Sequence, residues 1–196
     1  MCRSVEPNEM TTIRLARIEE LDSVHSLVQE ATTHMDNQSI PQWDDIYPSK
    51  AILNADIENQ QMYLIEVEGR VAGLIVINEI QSPEYASVAW KHSGRALVVH
   101  RLTIHPDYQR HKLASYLMDF AEEMAATENY DCIRLDAFTR NPAAFTLYEN
   151  RGYRKAGIVL FRKGEFFCFE KKISAKRAIN SSNNSRHRIV DKSDSR

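Results

Sequence analysis

The chain has 196 residues, 43% of them hydrophobic and 27% charged, with a formal net charge of −2. That is room for one domain of ordinary size with a real core, and it excludes the compositions of disordered, collagen-like or disulfide-framework chains. No apolar run approaches the roughly 18–20 residues of a membrane span, and MCRSVEPNEM lacks the apolar stretch of a signal peptide, so a cytoplasmic location without a membrane partner is expected.

Cys2, Cys132 and Cys168 are odd in number and widely spaced, which argues against a disulfide framework or a structural zinc site. Cys132 and Cys168 sit in apolar runs and read as small core residues. Charge is unevenly spread: from Lys171 to Arg196 there are eight Lys or Arg against two Asp. The run INSSNNSRHRIVDKSDSR is polar and aperiodic, so residues 173–196 are expected to form a disordered basic tail. Such a tail can hold an acidic partner or nucleic acid, but a solvated end is the commoner case, and nucleic acid is not expected here. Residues 1–10 read as an extension and 11–172 as one domain.

In chain order, Thr11 to Arg14 is strand-like, and Ile18, Leu21, Val24, Leu27, Val28 and Ala31 recur at helical spacing. A break from Asn37 to Pro48 precedes a short helix over Ala51 to Asn59. Met62–Val67 and Val71–Ile80 are β-prone runs around Gly69 and predict a hairpin. A polar gap, Gln81 to Gly94, leads to a strand over Ala96–Ile104 that Pro106 ends. Leu113, Leu117, Phe120 and Met124 form one stripe of a helix from Leu113 to Ala125. Cys132–Ala137 is a strand. Asn141 and Pro142 open a helix as N-cap and first helical residue, and Gly152 closes it. Tyr153–Phe161 and Glu165–Phe169 are a last pair of strands. The order predicts an α/β fold: one domain with a central sheet covered by helices.

The stretch LVVHRLTIHPDYQRHKLASYLMDF runs from strand through a short loop into a helix. A helix start exposes unpaired N–H groups at the positive end of its dipole and binds phosphate. Arg110, His111 and Lys112 crowd that start. They suit a diphosphate, or they are simply solvated; the pattern alone leaves both open.

Leu102-x-Ile104-x-Pro106 followed by Gln109-Arg110-x-x-x-Ala114 resembles the acetyl-CoA signature of the GCN5-related N-acetyltransferase (GNAT) superfamily, whose loop reads Q/R-x-x-G-x-G/A. Asn141, Ala144, Tyr148, Gly152 and Tyr153 resemble its second signature, N-x-x-A-x-x-x-Y-x-x-x-G-F/Y. The resemblance extends from about Thr11 to Lys172. It implies a mixed sheet in which two strands splay to form the acetyl-CoA cleft, with the pantetheine arm lying along the gap as a surrogate strand. Backbone groups of Leu102, Thr103 and Ile104 would then hold the arm. Gln109, Arg110, His111, Lys112, Leu113 and Ala114 would hold the pyrophosphate, with Asn141 and Ala144 alongside. Lys112 departs from the pattern, since the family usually has glycine there. A lysine can take helical angles without strain, and its charge can compensate for its bulk.

The implied reaction moves an acetyl group from acetyl-CoA to a primary amine, without a metal. An alkylamine attacks only when neutral, and the leaving thiolate needs a proton or electrostatic support. Tyr148 matches the tyrosine commonly assigned as that acid. His100 is the expected base, placed on one face with Leu102 and Ile104 if no bulge intervenes, and Glu79 is the fallback. Asp136, Trp43 and Tyr47 are candidates for holding the acceptor. A small molecule is the expected acceptor. A protein lysine or N-terminus is the alternative, and a non-catalytic acetyl-CoA sensor is a reading of another class. The resemblance also admits a homodimer.

Overall fold

The computed structural model describes residues 11–174. The expected extension 1–10, with Cys2, and all of the basic tail beyond Ser174 lie outside the described residues. The elements follow in the expected order: β1 (Thr11–Leu15), α1 (Leu21–Asn37), α2 (Lys50–Glu58), β2 (Met62–Val67), β3 (Arg70–Asn78), β4 (Ala96–Ile104), α3 (Leu113–Thr127), β5 (Cys132–Phe138), α4 (Pro142–Asn150), β6 (Arg154–Phe161) and β7 (Gly164–Lys172).

Two regions differ from the expectation. The helical pattern beginning at Ile18 is divided, with a 3-10 turn at Ile18–Glu20 before α1. The helix then continues past Ala31, because Met35 extends the stripe of Val24, Leu27 and Val28 onto the core. The supposed polar gap after β3 contains a 3-10 turn at Pro83–Ser87 that buries Tyr85 at 2% exposure and leads to buried Val88. Single apolar residues in a polar run carry no periodicity, so the sequence did not reveal this anchor.

The strands form one seven-stranded sheet in the order β1-β2-β3-β4-β5-β7-β6. Neighbours are antiparallel except β4 and β5, which are parallel because α3 carries the chain back between them. Leu97, Val99, Ile133, Leu135 and Ala137 meet α3 and α4 on one face. On the other face Leu64, Leu74 and Val76 meet α1 and α2, while Val98, Phe138 and Cys168 pack with Tyr85 and Phe166. Cys132 and Cys168 are buried free thiols, as expected, and burial pushes them up to about 11 and about 12. Among the described residues no helix is long and apolar enough to cross a membrane.

Two irregularities in β4 shape the site. Its pairing with β5 joins Ala96, Leu97 and Val98 to Cys132, Ile133 and Arg134 and then stops. Beyond that point the strands part, and the edge of β4 from Val99 to Ile104 is open towards β5. On the β3 side, Leu74 faces Thr103 while Val76 faces His100, so two residues of β3 span three of β4. The extra residue is a β-bulge at Arg101, whose φ of 51° lies in the left-handed region.

Candidate active site

The gap between β4 and β5 opens into a cleft of about 990 Å³, bounded by the 38–49 loop, the start of α3, the start of α4 and the β6–β7 turn. Residues from both faces of the sheet line it, so the cleft passes through the splay.

At one end lies the loop before α3. Arg110 and Lys112 have φ of 66° and 60°, with His111 between them. The first N–H of α3 to find a carbonyl is that of Ser115, on Lys112. The N–H groups of residues 110–114 have no acceptor among the described residues. This concave array at a helix start suits an anion. Arg110 and Lys112 are exposed beside it, with no ion-pair partner among the described residues. Lys112 caps α3 and does not take the strain-free helical angles open to a lysine. It adopts the left-handed geometry that glycine takes without penalty, at a cost of about 1–2 kcal/mol for a residue with a β-carbon. Gln109, Arg110, Lys112, Leu113 and Ala114 all line the cleft. His111 does not, and its Nδ1 is buried without a partner; Leu113 is mostly a core residue.

The bulge overturns the expected placement of His100. Leu102 and Ile104 pack towards α3 with Leu97 and Val99, while His100 follows Val98 onto the opposite face. One extra residue reverses the alternation of side chains. The His100 Nε2 lies 3.0 Å from Asn78 Oδ1, which also accepts the N–H of Ile80 at 2.9 Å. Nε2 is therefore the donor in that contact. Burial, reinforced by Arg101, lowers the imidazole to about 4. Thr103 is buried, its hydroxyl donating to the carbonyl of Arg101 at 2.8 Å.

Helix α4 brings Tyr148 and Asn141 to the cleft. Asn141 caps the helix, accepting the N–H of Ala144 at 3.1 Å, and its amide donates to Gln42 at 3.1 Å. Its side chain is thus engaged inside the protein, and Ala144 beside it lines the cleft. At the other end Gly152, with φ of 81°, donates to Glu149 and Tyr153 donates to Tyr148. This left-handed closure fixes the last turn, which carries Tyr148. The Tyr148 ring packs on Tyr153 and Phe169. Its hydroxyl has no hydrogen bond among the described residues, and burial together with nearby Asp136 raises its pKa well above that of a free phenol.

Asp136 lies on β5 beyond the point of splay, on the same face as Arg134 and Phe138. It lines the cleft and accepts the Tyr85 hydroxyl at 2.7 Å. Burial pushes it up to about 6, while the Tyr85 bond and Arg101 pull the other way. Trp43 and Tyr47 also line the cleft; Trp43 is 6% exposed and anchored in the α1–α2 core. Glu79 is not part of the cleft. It pairs with Arg95 and accepts the Tyr130 hydroxyl at 2.8 Å, more than half exposed, because β3 ends before it and the chain turns away.

Sequence reasoning missed two groups. Arg101, which sequence reasoning did not single out, turns inward at the bulge. It bonds Asp56 of α2 through Nε at 2.7 Å and Nη2 at 2.6 Å, and Tyr47 through Nη1 at 2.9 Å. Tyr85 lay in the supposed polar gap. A cation interrupting an apolar strand was the one available signal for Arg101; nothing marked Tyr85. No group of three or more His, Cys, Asp or Glu that could hold a metal occurs among the described residues.

The acetyltransferase (GNAT) family profile matches residues 21–153, which include both strands of the splay and both helices at its ends. Solved structures agree on the fold. A GNAT-family acetyltransferase from Streptococcus agalactiae is 24% identical, with a TM-score of 0.73 over 85% of this chain and 96% of that one. The paia N-acetyltransferase of Thermoplasma acidophilum, solved in complex with coenzyme A, is 20% identical, with a TM-score of 0.64 over 83% and 99%. The ribosomal-protein-S18-alanine N-acetyltransferase of Escherichia coli is 16% identical, with a TM-score of 0.63 over 87% and 98%. With its splayed strands, its anion-ready helix start and a family profile over most of its length, this chain belongs to the acetyltransferase (GNAT) family.

Proposed function

We propose that the cleft seats acetyl-CoA along the open edge of β4 and passes the acetyl group to a primary amine of a small molecule. The residues fit the coenzyme. The unpaired edge at Leu102, Thr103 and Ile104 offers backbone partners to the pantetheine arm, and the open N–H groups of residues 110–114 offer donors to the pyrophosphate. Arg110 and Lys112 add charge at the mouth, while Gln109, Ala144 and Asn141 complete the walls. Tyr148, with a free hydroxyl inside the cleft, is the donor to the departing thiolate.

The observation that favours a small acceptor is a strap over the acceptor side. The 38–49 loop is tied to α4 through Gln42 and Asn141, and to the β6–β7 turn through Asp44 with Arg162 and Lys163. Both loops line the cleft. An extended peptide would have to displace these ties, whereas a compact amine passes beneath them to reach Tyr47, Trp43 and Asp136. The carboxylate there attracts a cation.

Thiol release from acetyl-CoA, measured across polyamines, arylalkylamines, aminoglycosides, amino acids and lysine peptides, tests this reading. Turnover concentrated among small amines is expected, and Tyr148→Phe should lower kcat by about 10²-fold or more with little change in coenzyme affinity. Preference for peptides would transfer the acceptor role to protein. Sound acetyl-CoA binding without any turnover would make the chain a sensor.

A further inference from the structure

We propose that Asp136 is the catalytic proton acceptor of this site and that Tyr85 is its positioning residue. The inference rests on the acetyl-transfer reading and adds the base which that reading leaves unassigned.

The two faces of the sheet carry the argument. Tyr148 belongs to the α4 face, in the cluster with Leu135, Ala137 and Phe169. Asp136 belongs to the opposite face, between Arg134 and Phe138 and across from Cys168. The β4–β5 splay lies between them, and both residues line the same cleft. A thioester held in that gap therefore has a proton donor on one side and a carboxylate on the other. An amine arriving on the Asp136 face attacks opposite the group that receives the thiol's charge.

Tyr85 fixes the carboxylate. Its hydroxyl holds Oδ2, leaving Oδ1 without a hydrogen-bond donor among the described residues. Tyr85 is itself locked, 2% exposed, with its carbonyl accepting the Trp90 indole N–H at 3.0 Å and its ring 5.1 Å from that of Trp90. The other charged and titratable groups around Asp136 do not compete. Arg101 of β4 is engaged by Asp56, and its charge only favours the ionised form of Asp136. Tyr47, Tyr148 and Cys168 are held protonated by burial. The remaining carboxylate of the cleft, Glu84, is exposed and bonded to Ser82. His100, on the same face, has Nε2 committed to Asn78. At about 6 against about 4, Asp136 is ionised near neutrality yet a stronger base than His100.

The protons balance. An ammonium acceptor gives its first proton to Asp136 Oδ1, and the neutral nitrogen bonds to the thioester carbonyl carbon. The carbon–sulfur bond breaks, and the second nitrogen proton ends on sulfur, relayed by the Tyr148 hydroxyl. Asp136 then returns its proton to solvent, leaving amide, thiol and one released proton.

The test uses the full chain. Asp136→Asn should lower kcat roughly 10²- to 10⁴-fold while calorimetry shows acetyl-CoA affinity retained. Tyr85→Phe keeps the ring but removes the bond to the ionised form, so the acidic limb of kcat/KM should move to higher pH by about one unit. His100→Gln should leave the midpoint of that limb in place. Without any coenzyme, Asp136→Asn should raise the thermal midpoint at pH 8 and lose that gain at pH 4, because the native carboxyl sits above its ordinary value. Asp136→Asn turnover within threefold of the wild type, or a limb that follows His100→Gln, overturns the proposal. Failure of the wild type to bind acetyl-CoA or release thiol is a separate result, which removes the acetyl-transfer reading itself.

Discussion

Strand β5 treats its two neighbours differently. Towards β7 every residue is paired, from Cys132 with Lys172 to Phe138 with Phe166. Towards β4 the ladder stops at Val98 and Arg134. The closed seam is backed by fully buried Phe138, Cys168 and Phe169, whereas the open one exposes Asp136, His100 and Leu102 to a cleft. The backbone edge of β4 left without a strand partner lines the cleft, where water or a ligand can supply partners. Stability and function are thus divided along a single strand, the closed edge holding the sheet while the open edge waits for a substrate.

The sharpest way to break this comparison is to weaken the two edges in parallel. Phe169→Ala, at 0% exposure amid Phe145, Phe167 and Tyr148, should cost about 3–5 kcal/mol in denaturant unfolding. Leu102→Ala, half-buried on the open edge, should cost less than about 2 kcal/mol but weaken acetyl-CoA binding in calorimetry. If the Leu102 variant proves the less stable of the two, the division fails.

A third variant probes the fully paired β1–β2 end. Arg14 bonds Glu20 and Glu66, and its hydrogen bond holds Glu20 down to about 2. A carboxyl depressed in the folded state stabilises above its ordinary value of 4.5 and loses that contribution as pH falls towards 2. Arg14→Ala should therefore cost about 1–2 kcal/mol at pH 7, a difference that shrinks steadily below pH 4.5 in thermal scans.

The smallest effect concerns the loop before α3. Lys112→Gly relieves left-handed strain but loosens the unfolded chain, so stability should change by less than about 1 kcal/mol. Acetyl-CoA affinity should fall a few-fold at low salt and converge with the wild type at high salt, since the lost contribution is a screened charge. An equal loss at all ionic strengths would mean that Lys112 acts through loop shape rather than charge.

Much of this was legible in the residues. Asn141 and Pro142 announced the start of α4, and Gly152 its end, because capping is local chemistry and needs no tertiary partner. The apolar stripe of Leu113 and Leu117, and the apolar run that opens Ala96–Ile104, reported buried faces from local pattern alone. Residues of both signatures line the cleft. What was lost depended on departures from regular pattern. A single bulge at Arg101 sent His100 to the other face, and the end of β3 at Asn78 put Glu79 among Arg95 and Tyr130. The left-handed backbone at Lys112 was also illegible, because nothing in a lysine's own chemistry favours a positive φ.

The sequence by itself determined the order of elements and the helix carrying Tyr148, since each follows from neighbours a few residues apart. Tertiary structure alone decided which strand edge stays open, that Tyr85 reaches Asp136 from 51 residues away, and that Arg101 finds Asp56 across 45. Those contacts are set by packing between distant segments, which leaves no periodic trace in either one.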